Sequence, residues 1–183
     1  VVTTSIELNN NEPVTLKFNR NSNDSAARDF YESYGEPSER FDTTISGLVT
    51  DRKTDLVWKR CSEGQNFKGN NCSKSAKKYS YYNALKLEDS RWRLPTSDEL
   101  MTLVICKSTN FKQTPKGNGC PNGVQTPVIE MSVFPNSANG EYWTSSSLSI
   151  LENSFNGNIV DFRDGWLGND TRNTKNFVRL IKR

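Results

Sequence analysis

Histidine is absent from this 183-residue chain. Without it there is no Ser-His-Asp or Cys-His nucleophile, no His-Glu-x-x-His zinc site and no imidazole proton shuttle, so most hydrolytic mechanisms are excluded. Long apolar runs are missing too. No window approaches the roughly 18 consecutive apolar residues of a membrane-spanning helix. Hydrophobic residues reach only 33% and the mean hydropathy is −0.74, so aromatic side chains, at 10%, must supply much of the buried area. A strong charge of one sign is also lacking. The net charge of +3 falls well short of the dense positive field of a dedicated nucleic-acid binder, and no nucleic-acid partner is expected. The length suits one ordinary domain with a short appendage.

Cys61, Cys72, Cys106 and Cys120 form no Cys-x-x-Cys pair, which argues against a zinc ribbon or a thioredoxin-like motif. An even count in a small, polar, loop-rich chain favours two disulfides and an oxidising compartment, with four buried thiols in a cytosolic protein as the alternative. Four cysteines allow three pairings. Cys61–Cys72 and Cys106–Cys120 are the expected ones, since each pair brackets a Gly/Asn-rich loop, SEGQNFKGNN and KSTNFKQTPKGNG. Val1 is not an initiator Met, as expected of a mature or trimmed chain.

Residues 1–45 read as an N-terminal extension. Val14, Leu16 and Phe18 alternate as in a strand, and residues 25–34 suit a short helix with Ala26, Phe30 and Tyr34 on one face. Residues 46–183 read as one α+β domain, with two helices packed on an antiparallel sheet in which the two ends meet. Residues 48–50 and 56–58 predict a hairpin. Ser80 is expected to cap a helix whose buried stripe is Tyr81, Ala84 and Leu85. Thr96 and Glu99 form a capping-box pattern for a second helix that buries Leu100, Leu103 and Val104. Residues 107–141 are irregular and long enough to need clamping, which Cys120 would supply. Strands follow at 142–146 and 159–162, then an Asp164-Gly165 turn, then a half-buried strand at 177–181 with Val178 and Leu180 inward and charges outward.

The motifs follow a distinctive order: Gly47-Leu48-Val49-Thr50-Asp51-x-x-Thr54-x-Leu56-x-Trp58, Ala84-Leu85, Trp92-Arg93-Leu94-Pro95-x-x-x-Glu99-Leu100, Phe134-Pro135, Tyr142-Trp143-Thr144-Ser145-Ser146, Val160-x-Phe162-x-x-Gly165 and Phe177-Val178-Arg179. Arg60-Cys61-Ser62-x-Gly64-Gln65 with Cys72 fits the same pattern. Over about residues 45–183 the chain resembles the C-terminal domain family of the Legionella collagen-like adhesin. That resemblance implies a C-type-lectin-like fold in a secreted or surface-exposed bacterial protein, with sulfated glycosaminoglycans and related polysaccharides as ligands. The chain has no collagen repeat, so trimerisation is not implied, and it lacks the Glu-Pro-Asn and Trp-Asn-Asp signatures of calcium-dependent lectins.

Trp58, Trp92 and Trp143 sit in framework motifs and are expected in or near the core. Trp166 differs. It lies between Arg163-Asp164-Gly165 and a polar, turn-rich run through Asn173, the composition of a carbohydrate platform; a hairpin Trp folded back over the sheet is the alternative. Asp161, Asp164, Asn169 and Asp170 could supply oxygens to Ca²⁺, but the EF-hand spacing is missing and turn formation explains the same residues, so no cofactor is expected and calcium is the one candidate. Glu130, Glu141 and Glu152 are the carboxylates from which a glycosidase pair would be drawn, yet nothing in the sequence brings two together, and the chain is read as non-enzymatic. Lysines cluster on the two cysteine loops, with Lys68, Lys74, Lys77 and Lys78 at the first and Lys107, Lys112 and Lys116 at the second; Arg179, Lys182 and Arg183 form a third basic group.

The expected ligand surface is Arg163, Asp164, Trp166, Asn169, Asp170 and Arg172 with Lys112 and Lys116. The expected function is an adhesin-type binding module, secreted or on the cell surface, for a glycan or anionic polysaccharide. The alternative is a minor or tip subunit of a pilus or similar surface assembly, attached through residues 1–45.

Overall fold

Short-range signals build the first half of the domain. The computed structural model describes residues 37–108, 112–113, 119–146 and 155–183; the expected strand around Val14–Phe18 and the expected helix at 25–34 lie outside them. A short helix α1 (Pro37–Arg40) leads into β1 (Phe41–Asp42), which pairs with β2 (Leu48–Asp51). The expected hairpin is present: β2 pairs with β3 (Leu56–Lys59), placing Val49 opposite Trp58. Asp55 closes its turn at φ 57°, a left-handed conformation that Asp tolerates better than most residues. The sheet then waits for the far end of the chain. β12 (Ile181–Lys182) inserts between β3 and β6 (Trp92–Arg93), giving the order β1-β2-β3-β12-β6. The two ends do meet in one sheet, and its first strand comes from the segment read as an extension.

Two more one-turn helices flank the sheets. In α2 (Tyr81–Leu85), Tyr81 and Ala84 are buried as expected. Two expectations are corrected there. Ser80 holds the N-cap position but its hydroxyl makes no capping bond, and Leu85 is 37% exposed because a five-residue helix ends before its last position is covered. The capping box of α3 (Ser97–Met101) forms as read: Thr96 Oγ1 accepts from the Glu99 amide at 3.2 Å and Glu99 Oε2 from the Thr96 amide at 2.7 Å. Arg93 then forks onto both Glu99 oxygens at 2.7 and 2.6 Å, which holds the Glu99 carboxyl below the usual carboxylate range. The Trp-Arg-Leu-Pro motif is thus a structural tie between β6 and the cap of α3.

The second sheet is β9 (Glu141–Trp143), β10 (Asn156–Asp161) and β11 (Trp166–Thr171), all antiparallel. Its middle strand is covered on both faces, so alternate residues enter different cores. Tyr142 and Val160 join Phe41, Val49, Trp58, Leu100, Phe134 and Phe162; Trp143 and Ile159 join Tyr81, Ala84, Leu94, Val178 and Leu180. Trp58 and Trp143 are fully buried and Trp92 half-buried, as expected of framework residues. Gly157 is needed where the Tyr81 and Trp143 rings cross β10, since a Cβ there would lie 2.8 Å from Tyr81 Cδ2.

Both expected disulfides, Cys61–Cys72 and Cys106–Cys120, are present. The first closes a hairpin of β4 (Asn66–Lys68) and β5 (Asn71–Ser73), the second a ladder of β7 (Cys106–Lys107) and β8 (Lys112–Gln113). Loops of this size contribute roughly 3 kcal/mol each in the chain-entropy account. The irregular stretch before β9 is anchored by core side chains, with Val128, Ile129, Val133 and Phe134 all buried.

A buried ion pair fixes the start of the domain. Arg40, 6% exposed, grips the fully buried Asp51 carboxylate at 3.0 and 2.6 Å and also donates to the Thr102 carbonyl at 2.8 Å, tying α1 to β2 and to the end of α3. At the other end lies the main correction to the sequence reading. Residues 178–181 do not alternate in and out: Val178, Arg179, Leu180 and Ile181 are all buried, and only Ile181 onward counts as strand. Arg179, read as an outward-facing charge, is fully enclosed. Its Nη1 donates to the Lys59 and Arg60 carbonyls at 2.9 and 2.6 Å, its Nη2 to the Ser62 and Ser137 hydroxyls at 3.1 and 2.6 Å, and its plane lies 4.8 Å from the Phe134 ring centroid.

Only a planar fork satisfies four acceptors in this arrangement. Arg179→Lys is therefore expected to destabilise the domain by about 2–4 kcal/mol, because buried carbonyls and hydroxyls lose their donor. Urea unfolding would read this directly, and a loss below about 1 kcal/mol would show the clamp to be dispensable.

Candidate functional site

The β10–β11 hairpin carries most of the expected ligand residues. The sequence suggested a loop from Trp166 onward; the structure has a six-residue strand instead, with Trp166 opposite Asp161 and Thr171 opposite Asn156. Gly, Asn and Asp disfavour strands intrinsically, so cross-strand pairing to the well-formed β10 overrides local preference here.

The placement separates the candidates. At the turn, Arg163 bonds Asp161 with Nε at 2.9 and 2.8 Å and reaches Glu141 with Nη2 at 2.8 Å; the Asp161 partnership raises the already high pKa of the guanidinium further. Asp164 Oδ1 accepts from the Trp166 amide at 3.0 Å. Farther along, Asn169 Oδ1 accepts from Asn156 at 2.9 Å, and Asp170 accepts from the Thr171 amide at 2.7 Å and from Asn176 at 3.0 Å. Arg172, beyond the far end of β11, packs its guanidinium on Tyr81 and Tyr82, 5.2 and 6.0 Å from the ring centroids, and bonds the Asn156 carbonyl at 3.3 Å. The polar groups named are thus bonded within the hairpin or to neighbouring Glu141 and Asn176, and these include the four residues considered as calcium ligands. Among the described residues no group of three or more acidic or cysteine side chains is arranged to hold a metal ion.

Trp166 is 40% exposed, and its ring folds back over Gly168, where a Cβ would collide with it. Side chains at 166, 168 and 170 share one strand face. The hairpin therefore offers an aromatic ledge, Trp166 at the turn end and Tyr82, 54% exposed, beside Arg172 at the other. Tyr82 was not singled out in the sequence, where attention went to the buried stripe Tyr81, Ala84 and Leu85. Phe155, 85% exposed at the start of β10, was also missed.

The lysines fare differently. Lys112 stands on β8, paired with Lys107, while Lys116 lies outside the described residues. Glu152 lies outside them too; Glu141 is held by Arg163, and Glu130 accepts from Ser132 at 2.8 Å. On the first disulfide loop, Lys68, Lys74, Lys77 and Lys78 are exposed and make no ion pair with described residues. Arginines are committed: Arg40, Arg52, Arg93, Arg163 and Arg183 all sit on carboxylates, and Arg179 is buried. Sequence clustering found the lysines but could not show that Arg179 does not belong with them.

Behind the first loop lies an open recess of about 400 Å³ lined by Gln65, Ser73, Lys74, Ser75, Asn136 and Phe177 among others. Gln65 Nε2 donates across it to the Asn136 carbonyl at 2.9 Å and to the Lys74 carbonyl at 3.3 Å. Asn136 Nδ2 returns to the Cys72 carbonyl at 2.9 Å and to Asn71 Oδ1 at 3.0 Å. Gln65 and Asn136 were not singled out as site residues, and no sequence signal joins them.

A model of the Lcl C-terminal domain family matches residues 47–182. No curated protein and no solved structure matches the chain.

The seat of the Trp166 ring on Gly168 gives a direct test. Gly168→Ala should push the ring outward, raising acrylamide quenching of the tryptophan emission while leaving Tm within about 2 °C, since Trp166 is a surface side chain free to move. The increase should vanish in a Trp166→Phe background; persistence there would place the ring elsewhere.

Proposed function

Because the chain belongs to the Lcl C-terminal domain family, we propose that it is a non-catalytic adhesin-type module of an exported bacterial protein, C-type-lectin-like in architecture, that binds an anionic polysaccharide. The observation that carries this reading is the division of labour among the cations. Five described arginines sit on carboxylates and Arg179 is buried, while Lys68 inside the Cys61–Cys72 loop and Lys74, Lys77 and Lys78 just after it stand exposed without counter-ions among the described residues. Ammonium groups on backbone tied down by the disulfide and by the Lys77 amide–Glu63 carbonyl and Gln65–Lys74 carbonyl bonds meet repeated sulfates or carboxylates with little ordering cost. Two disulfides accord with an oxidising, extracytoplasmic setting. No helix of the described residues is long and apolar enough to cross a membrane.

The reading takes no cofactor: Asp161, Asp164, Asn169 and Asp170 each accept hydrogen bonds from the hairpin or from Asn176. Trp166, Tyr82 and Arg172 form the accessory aromatic ledge, contributing to uncharged parts of the chain.

Heparin chromatography tests the proposal. The protein should be retained at about 50 mM salt and released steeply towards 200 mM, where screening falls to roughly 8 Å or less, with EDTA changing nothing. Failure to bind at low salt removes the polysaccharide and leaves the assembly-subunit role. Binding that resists salt but is lost in Trp166→Ala would instead show a neutral glycan held by stacking.

A further inference from the structure

The recess behind the Cys61–Cys72 loop combines four features that a surface of scattered lysines lacks. It is concave, and its volume of about 400 Å³ lies at the lower end of the range for small-molecule sites. One wall is aromatic. Phe177 is half-buried against Tyr142, with ring centroids 5.4 Å apart, and Gly140 leaves room for it, since a Cβ there would lie 3.1 Å from the ring. Its cations are placed. Lys78 Nζ lies 4.9 Å from the Phe177 centroid, held by the ring's negative face, and Lys74 lines the recess from a backbone that Gln65 bonds. Finally, it has unused hydrogen-bonding groups: Asn136 Oδ1 and Ser75 Oγ have no partner among the described residues.

These groups do not serve the core. Asn136 adopts φ 53° and Lys74 φ 65°, both in the left-handed region, and the Gln65–Asn136–Cys72 bonds hold those conformations against the disulfide. The braced rim places Lys74 and the Asn136 amide oxygen on the cavity wall, and Lys78, not itself a lining residue, reaches the Phe177 ring that lines it.

Resting on the polysaccharide reading above, we propose that this recess, rather than the β10–β11 hairpin, seats one acidic sugar residue of the polymer. Its sulfate or carboxylate is held by the Lys74 and Lys78 ammonium groups, its hydroxyls donate to Asn136 Oδ1 and Ser75 Oγ, and its apolar face lies towards Phe177. Gln65 is a positioning residue: both of its amide hydrogens are spent on the rim, and its carbonyl accepts from the Ser62 amide at 3.0 Å. The remaining lysines, Lys68 and Lys77, attract neighbouring units of the chain less specifically.

The test is the affinity of the intact protein for a defined heparin octasaccharide, measured at several salt concentrations, with hyaluronan fragments as the carboxylate-only arm. Lys74→Gln with Lys78→Gln should weaken heparin binding about tenfold, the equivalent of ~1.4 kcal/mol, and flatten its salt dependence. Lys86→Gln with Lys182→Gln removes the same charge from exposed positions outside the recess and should change the affinity less than twofold. Asn136→Gly, which keeps the left-handed backbone and the net charge, should weaken binding several-fold without altering the salt slope. Equal losses for the two lysine pairs, or full affinity in Asn136→Gly, would overturn the recess while leaving the polysaccharide reading intact. No binding by the unmodified protein would instead remove that reading. Binding to heparin but not hyaluronan assigns the anion as sulfate; binding to both assigns either group to the same lysines.

Discussion

The Arg179 guanidinium is a positive charge enclosed without a carboxylate in ion-pair range among the described residues. Burial pushes its pKa down, yet an arginine stays charged, so the charge must be dispersed over neutral dipoles. Two carbonyls at the end of β3, two hydroxyls and the face of Phe134 do this. The five contacts come from three stretches of chain: the end of β3, the start of the first disulfide loop, and the 134–138 turn. Ser62 continues the network to Tyr142 at 2.9 Å, and Tyr142 accepts from the Ala138 amide at 2.9 Å. Ser137 passes its own proton to the Phe134 carbonyl at 2.8 Å. The loop carrying the lysines and the turn carrying Asn136 are therefore positioned from below by one side chain. The recess inherits its shape from that buried cation.

How much was legible in the sequence follows from the range of the interaction. The β2–β3 hairpin, the Thr96–Glu99 capping box and the two disulfide-closed loops depend on residues close in sequence, and their residue types state their roles. The framework motifs likewise located Trp58 and Trp143 in the core, and the order of the elements brought the two ends of the domain into one sheet. Arg179 failed the same reading because hydrophobic alternation assigns any charge to the solvent side, and its acceptors are carbonyls, which leave no mark in a sequence. Arg40 and Asp51 escaped for a related reason: their segments read as an extension and as a hairpin turn. β11 was read as a loop because Gly168, Asn169 and Asp170 are poor strand formers, and nothing local reveals that β10 will pair with them.

The candidate site shows a similar split. The lysine clusters could be counted, and Trp166 could be singled out by its neighbours, but composition cannot distinguish a charge that is spent from one that is free. Arg163, Asp161 and Glu141 entered the sequence reading under three separate headings, as ligand-surface residue, calcium candidate and carboxylate candidate, and are one ion network in three dimensions. The recess runs the other way. Gln65 and Asn136 lie 71 positions apart and mean nothing until the fold joins them.

The place of β12 between β3 and β6 bears on how such a chain is made. Lys59 and Arg179 are 120 positions apart, yet the strand beside β3 and the charge that secures its end both come from the later segment. Until residues 178–182 are available, β3 and β6 have no common neighbour, the Phe134 turn has no clamp, and the aromatic core stays open. Folding is gated by synthesis of the far segment and cannot proceed stably from the near one. If the chain is exported as proposed, this topology holds the near segment open until the far one joins it.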